Sequence, residues 1–332
     1  MKADDVAYPI LQVPDLDLQE KFLVHFGLHR VERTENALFM RGEGPQPFVH
    51  ETRLGPKKFL GAAYVAQNEA DLERLSRTES FGSIEEIAGP GGGIKVAGLD
   101  PDGIGVEVVF GRESRSIEDD MAPMGMNVGG VGPETFQRLN VRKRFQKGAY
   151  PKIKRFGHYA IHSTDLQASL DWYNAHLGII PSDLVKQPPA DEDSPLVFIF
   201  ARLDRDDRPS DHHSILFAST STSQGLPGLN HVSFETINID DVFMGHEILT
   251  KHGYELEWGI GRHYLGSQIF DYWRSPFAQV HEHQTDGDVF DNTVPPQIVN
   301  PDDLGNPEES ERGSSQWGPP LNYESFGDIR GL

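Results

Sequence analysis

The stretch Gly261-Arg262-His263-Tyr264-Leu265-Gly266-Ser267-Gln268-Ile269-Phe270-Asp271-Tyr272-Trp273-Arg274-Ser275-Pro276-Phe277-Ala278-Gln279-Val280-His281-Glu282 reads as two short strands joined by a tight Ser275-Pro276 turn. A strand sends alternate side chains to opposite faces, so Val280 and Glu282 look one way while Gln279, His281 and His283 look the other. Val280 marks the buried side, and Glu282 shares it. An ionised carboxylate beside a valine in a sheet interior is costly unless a cation or strong donors meet it. Glu282 therefore needs a partner from elsewhere in the chain.

Working outward, residues 156–290 set a rhythm of strand, helix and further strands. The run Gly157 to Thr164 reads as a strand entering an N-cap at Asp165, and Leu166–Leu177 as an amphipathic helix closed by Gly178. Val197–Arg202, Ser214–Ala218 and Asn230–Glu235 read as strands, and Ile239–His252 as a helix stopped by Gly253. Residues 1–115 keep the same rhythm: strand-like Ala7–Val13, N-cap Asp15, a helix over Leu16–Phe26 and a stop at Gly27. Tyr8 stands seven residues before Asp15 as His158 stands seven before Asp165, and in both halves a proline precedes a glutamate by six, Pro101 to Glu107 and Pro276 to Glu282. A duplicated unit is the economical explanation. Where the second half has His158 and His231, this alignment gives the first half Tyr8 and Ala62, which predicts a metal-free N-terminal half.

Composition narrows the chemistry. The 332 residues contain no cysteine, which excludes disulfides and thiolate metal sites and leaves His and carboxylates as metal ligands. Fifty-one acidic residues against 30 basic ones give a net charge of −21, unfavourable for nucleic acid or an anionic membrane. Acids and a proline interrupt the first twenty residues where a secretory leader would need an apolar core, so a cytoplasmic protein is expected. Arg138 to Arg155 holds eight basic residues and no acids and reads as a linker, and the Gly89–Gly93 region reads as a turn. The tail from about Asn292, rich in Pro, Gly and acids, cannot bury a core of its own; its large anchors are Trp317, Leu321, Tyr323 and Phe326.

His158 and His231 occupy corresponding places on the first strands of successive modules, and Glu282 closes the second of them. Two imidazoles and one carboxylate from three strands would occupy one face of a divalent ion and leave the opposite face open. His281 and His283 are the competing ligands, although they face away from Val280. His212 and His213, adjacent in Asp211-His212-His213-Ser214, both remain candidates for proton transfer.

These residues resemble a known family. Gly157-His158, Asn230-His231, and Gly261-Arg262-His263 with Tyr272 nine residues and Glu282 nineteen residues further on are similar to the motifs of type I extradiol catechol dioxygenases of the vicinal oxygen chelate superfamily. The resemblance implies an α+β fold of tandem βαβββ modules, two domains of two modules each. The corresponding boundaries are 1–137 for a metal-free N-terminal domain, 138–155 for the basic linker, 156–291 for a catalytic domain and 292–332 for the acidic tail. It further implies that His158, His231 and Glu282 hold Fe(II), with Mn(II) as second choice and O2 as co-substrate. His213 would be the acid/base, favoured over His212 by the family register, and His263 and Tyr272 would act beside the bound oxygen and the substrate hydroxyl. The implied substrate is a substituted catechol or polyhydroxybenzene, and the implied assembly a homo-oligomer. Leu265 departs from the family's usual Asn and makes the pocket rim more apolar. The other readings are a superfamily isomerase or lyase that binds an enediolate without O2, and a non-catalytic aromatic-binding protein.

Overall fold

The computed structural model describes residues 1–117, 138, 140, 142, 148–187, 193–299 and 315–321. It opens with β1 (Ala3–Val13), α1 (Leu16–Phe26), β2 (His29–Arg33), β3 (Ala37–Arg41) and β4 (His50–Leu54). The pattern repeats in β5 (Lys58–Ala66), α2 (Glu69–Leu75), β6 (Glu85–Glu86), β7 (Ile94–Leu99) and β8 (Gly105–Phe110). Local chemistry sets the helix limits: Asp15 accepts from the backbone N–H groups of Asp17 and Leu18, and Gly27 closes α1 in the left-handed conformation. Together these strands make one sheet in the order β2-β3-β4-β1-β5-β8-β7-β6. An antiparallel seam between β1 and β5 lies at its centre.

The second half contains β9 (Ile153–Ser163), α3 (Leu166–Leu177), β10 (Ile179–Lys186), β11 (Leu196–Leu203), the short β12 (Ser210–Asp211) and β13 (Ile215–Ser219). It continues with β14 (Gly228–Thr236), α4 (Ile239–Lys251), β15 (Glu255–His263), β16 (Ile269–Arg274) and β17 (Val280–Thr285). Its sheet runs β10-β11-β13-β9-β14-β17-β16-β15, the order of the first sheet strand for strand. Four βαβββ modules in two sheets are the vicinal oxygen chelate fold. Three short strands follow: β18 (Val289–Phe290) pairs with β12, β19 (Gln297–Val299) adds to the β10 edge, and β20 (Ser315–Trp317) adds to the β15 edge.

Register corrects the alignment of the halves. His158 lies opposite Ser233, which lies beside Glu282, just as Tyr8 lies opposite Ala63, which lies beside Glu107. His231 pairs with Ala160, and the matching residue opposite Ile10 is Gly61, not Ala62. A Cβ on Gly61 would stand 1.8 Å from the Gly105 carbonyl oxygen, so no side chain fits there at all. Glu107 is met instead by Lys95 Nζ at 2.8 Å, Arg53 Nη2 at 3.4 Å and the Tyr8 hydroxyl at 3.2 Å.

Two other expectations shift. Gly261–His263 end the longer β15 rather than begin a hairpin, and β9 starts at Ile153, inside the stretch read as a linker. Residues 139, 141 and 143–147 of that basic stretch, with Tyr323 and Phe326, lie outside the described residues. Val280 also proves a poor marker of sidedness, because β17 is buried on both faces. Helix α1 of the first half covers the far face: the His281 ring packs edge-on against Phe22 and Phe26 at 5.0 and 5.7 Å, and His283 Nε2 donates to the Phe26 carbonyl at 2.7 Å.

The halves share one apolar core that includes Phe22, Phe26 and Tyr64 from the first and Tyr159, Phe234 and Trp273 from the second. A buried polar chain also crosses between them, with Tyr64 and Tyr159 hydroxyls 2.9 Å apart, Tyr159 donating to Tyr173 at 3.3 Å and Tyr173 donating to Asp100 at 3.2 Å. Burial pushes the Asp100 carboxyl up from 3.8 to about 6, even though it accepts from the backbone of Ile104 and Asp102. A raised folded pKa means that this group's contribution is full below about pH 4 and is lost as pH rises through about 6. The loss is about 3 kcal/mol. Asp100→Asn, which keeps an acceptor and cannot ionise, should flatten that part of the stability curve in chemical denaturation across the window. Among the described residues no helix is long and apolar enough to cross a membrane.

Candidate metal centre

Glu282 lies in the middle of β17, fully buried, and neither of its carboxylate oxygens receives a well-formed hydrogen bond. Two neighbouring strands bring imidazoles to it. Glu282 Oε2 is 3.2 Å from His158 Nε2 and 3.7 Å from His231 Nε2, and the two nitrogens are 3.2 Å apart. Ligand atoms about 2.1 Å from one ion, at right angles, stand about 3 Å from each other. The triangle therefore has the size of one face of an octahedral site.

Its electrostatics agree with that size. Burial would raise the Glu282 pKa, but the imidazoles of His158 and His263 hold it well below the usual carboxylate range. Burial pushes His231 down to about 3, so its ring is neutral near pH 7. Asn230 Oδ1 accepts from His231 Nδ1 at 2.6 Å, which fixes the tautomer with its lone pair on Nε2. The Asn230 amide nitrogen donates to His162 Nε2 at 3.1 Å. A buried carboxylate facing two imidazole nitrogens suits a divalent transition ion, and these are the only such three residues among those described. Asn230→Ala should weaken metal binding about 10–100-fold, read by competition with a chelator, with little change in the melting temperature of the metal-free protein.

The remaining predicted residues fall within the same cluster. The His213 ring is 4.1 Å from that of His158 and 5.2 Å from that of Phe200. Burial, reinforced by His158, holds His213 well below the usual imidazole range. His263 Nε2 lies 2.8 Å from the Tyr272 hydroxyl and 3.5 Å from Glu282 Oε1. Burial and then the Glu282 charge raise Tyr272 well above the normal phenol range, so it keeps its proton. Trp258, Phe270 and Tyr272 form one wall, against which Leu321 of the tail packs, and Trp258 Nε1 donates to the Pro319 carbonyl at 2.9 Å.

His281 and His283 point to the opposite face, as alternation requires. His212 and His213 are both buried, because they lie before β13 rather than within it and no alternation separates them. Sequence reasoning gave no role to Asn230, His162, Asp183 or Gln268, all of which join this network. Arg262 and Arg274, the cations nearest in sequence, are committed elsewhere. Arg262 binds Asp286 Oδ2 at 2.7 Å and the Ser267 carbonyl at 2.6 Å, and Arg274 binds Glu257 and, at 2.9 Å, the Ala278 carbonyl.

Comparison with known proteins follows the same lines. Residues 155–277 match the profile of the Glyoxalase/Bleomycin resistance protein/Dioxygenase superfamily. Metapyrocatechase 2 of Cupriavidus necator is 27% identical over 280 residues, which cover 84% of this chain and 79% of that protein. The Mn(II)-bound glyoxalase from Novosphingobium aromaticivorans superposes with a TM-score of 0.73 at 22% identity, over 96% of this chain and 91% of the other. Homoprotocatechuate 2,3-dioxygenase from Arthrobacter globiformis gives 0.70 at 18% identity, over 98% and 92%. At these identities the structural likenesses speak for the fold.

Proposed function

From a chain whose residues 155–277 match the Glyoxalase/Bleomycin resistance protein/Dioxygenase superfamily profile, we propose an extradiol ring-cleaving dioxygenase that inserts both atoms of O2 into a catechol. The observation that carries this reading is the buried triangle of His158, His231 and Glu282, with His213, His263 and Tyr272 at its margin. The relation to metapyrocatechase 2 supports it. Fe(II) is the proposed ion, with Mn(II) second, since two histidines and one carboxylate on one face are the usual setting of non-haem Fe(II) oxygenases. When bound at His158, His231 and Glu282, such an ion would supply a Lewis-acidic, redox-active centre for the reaction of a vicinal diol with O2.

The residues around it divide the proton work. His213, neutral near pH 7, accepts a diol proton on its imidazole and returns it later to the oxygen that needs it. Tyr272 keeps its hydroxyl proton and donates toward the substrate oxygen, while His263 is held beside it at 2.8 Å. The wall of Trp258 and Phe270 excludes water and favours a flat apolar ring. With Arg262 and Arg274 engaged by their own neighbours, uncharged ring substituents are the proposed substrate class. The proposed organisation keeps residues 1–137 as a metal-free domain and, with its start moved to Ile153 by β9, residues 153–291 as the catalytic one, in a cytoplasmic homo-oligomer.

The test is anaerobic loading with Fe(II), followed by oxygen-electrode and absorbance measurements on catechol, alkylcatechols and carboxylated catechols. Equimolar O2 uptake with a yellow ring-opened product is expected, fastest for the uncharged rings. Bound iron without O2 uptake on any catechol would overturn the reading, and turnover without O2 would favour the isomerase or lyase.

A further inference from the structure

We propose that Asp183 and His212 are positioning residues that hold His213 in one tautomer, with Nδ1 protonated and Nε2 free to accept a proton. The inference concerns the same site and rests on the dioxygenase reading for its kinetic consequence.

The contacts form a line. Asp183 Oδ2 is 2.7 Å from His212 Nε2, and His212 Nδ1 is 3.0 Å from His213 Nδ1. A carboxylate accepts, so the proton of a neutral His212 sits on Nε2 and leaves a lone pair on Nδ1. Two imidazole nitrogens at 3.0 Å share one proton, and it must then belong to His213 Nδ1. That leaves His213 Nε2 as the basic nitrogen. The Gln268 amide also approaches His213 Nδ1, but at 3.4 Å, the long edge of hydrogen-bond range, so the contact to His212 decides.

His212 is held on every side. Its backbone N–H donates to the Asp288 carbonyl at 2.9 Å. Its carbonyl accepts from Ser182 Oγ at 2.6 Å, and Arg202 Nη1 fixes that hydroxyl at 2.8 Å. Gly266 lies against the ring so closely that a Cβ there would stand 2.7 Å from His212 Nδ1. A residue used only to fill space would not need both ring nitrogens, its N–H and its carbonyl engaged. When His213 takes up a proton, the Asp183 charge faces the new cation through the intervening ring, as in other carboxylate–imidazole relays.

The experiment reads the tautomers directly. Nitrogen NMR of the metal-free, histidine-labelled protein near neutral pH should show His212 protonated on Nε2 and His213 on Nδ1. Asp183→Ala should abolish that preference. In the iron-loaded enzyme the same variant should lower kcat about 10–100-fold, with the KM for catechol within about threefold and iron content unchanged. The proposal is overturned if wild-type His213 carries its proton on Nε2, if Asp183→Ala leaves both tautomers as they were, or if iron content falls in step with kcat. The wild-type spectrum decides the matter even if the variant does not fold. Because it needs neither metal nor turnover, it also stands apart from the dioxygenase reading: an enzyme inactive on every catechol but showing these tautomers would refute the reaction and leave the positioning intact.

Discussion

Glu282→Gln should bring iron content after anaerobic loading to background, and O2 uptake with it. The amide keeps the size of the side chain but offers a neutral oxygen, and the two remaining ligands, His158 and His231, are then neutral imidazoles at best. Outer partners of a metal site usually cost about 10–100-fold in affinity, so loss of an anionic ligand should exceed the upper end of that range. His158→Ala removes a second corner of the same triangle and should behave alike. Metal analysis after gel filtration is the measurement, with circular dichroism to show that each variant is folded. Full iron occupancy in either variant would remove that residue from the ligand set.

His213→Phe should do the opposite: iron stays, and kcat falls about 10²–10⁴-fold, the usual worth of a positioned acid/base. Phenylalanine is close to imidazole in shape and can keep the ring contacts to His158 and Phe200. What it lacks is a nitrogen. Because burial keeps His213 neutral well below pH 7, the wild-type enzyme should hold its base form across the neutral range and lose it only in acid. An unchanged kcat in this variant would hand the role to His212 or His263.

Much of this site was legible because it is built on regular strands. His158, Tyr272 and Glu282 lie within pairings whose faces follow from counting by twos, and the duplicated spacing pointed to the same strands in both halves. The misses occur where that regularity breaks. Asn230 sits at an irregularity in the pairing of β14 with β9, and there its side chain turns back to the Nδ1 of the next residue, which a regular strand would forbid. Asp183 reaches His212 across 29 residues, a separation that no local pattern records. What covers His281 and His283 could not be read locally, because the cover over β17 comes from α1, more than 250 residues earlier in the case of the His283 contact.

The strands contributed by the C-terminal segment have one more effect. A bare sheet margin offers a row of unpaired N–H and C=O groups to any passing extended chain. Here β19 covers Asp183–Val185 of the β10 margin and β20 covers Arg262 and His263 of the β15 margin, so the second sheet ends on both sides in three-residue strands that offer little length to a foreign chain. The first sheet ends instead in β2, His-Arg-Val-Glu-Arg, and the glutamate pair of β6, whose charges discourage docking by a foreign strand. Shortening the chain before Gln297 would uncover both margins at once, and filament formation, rather than loss of fold, is the failure such a truncation invites.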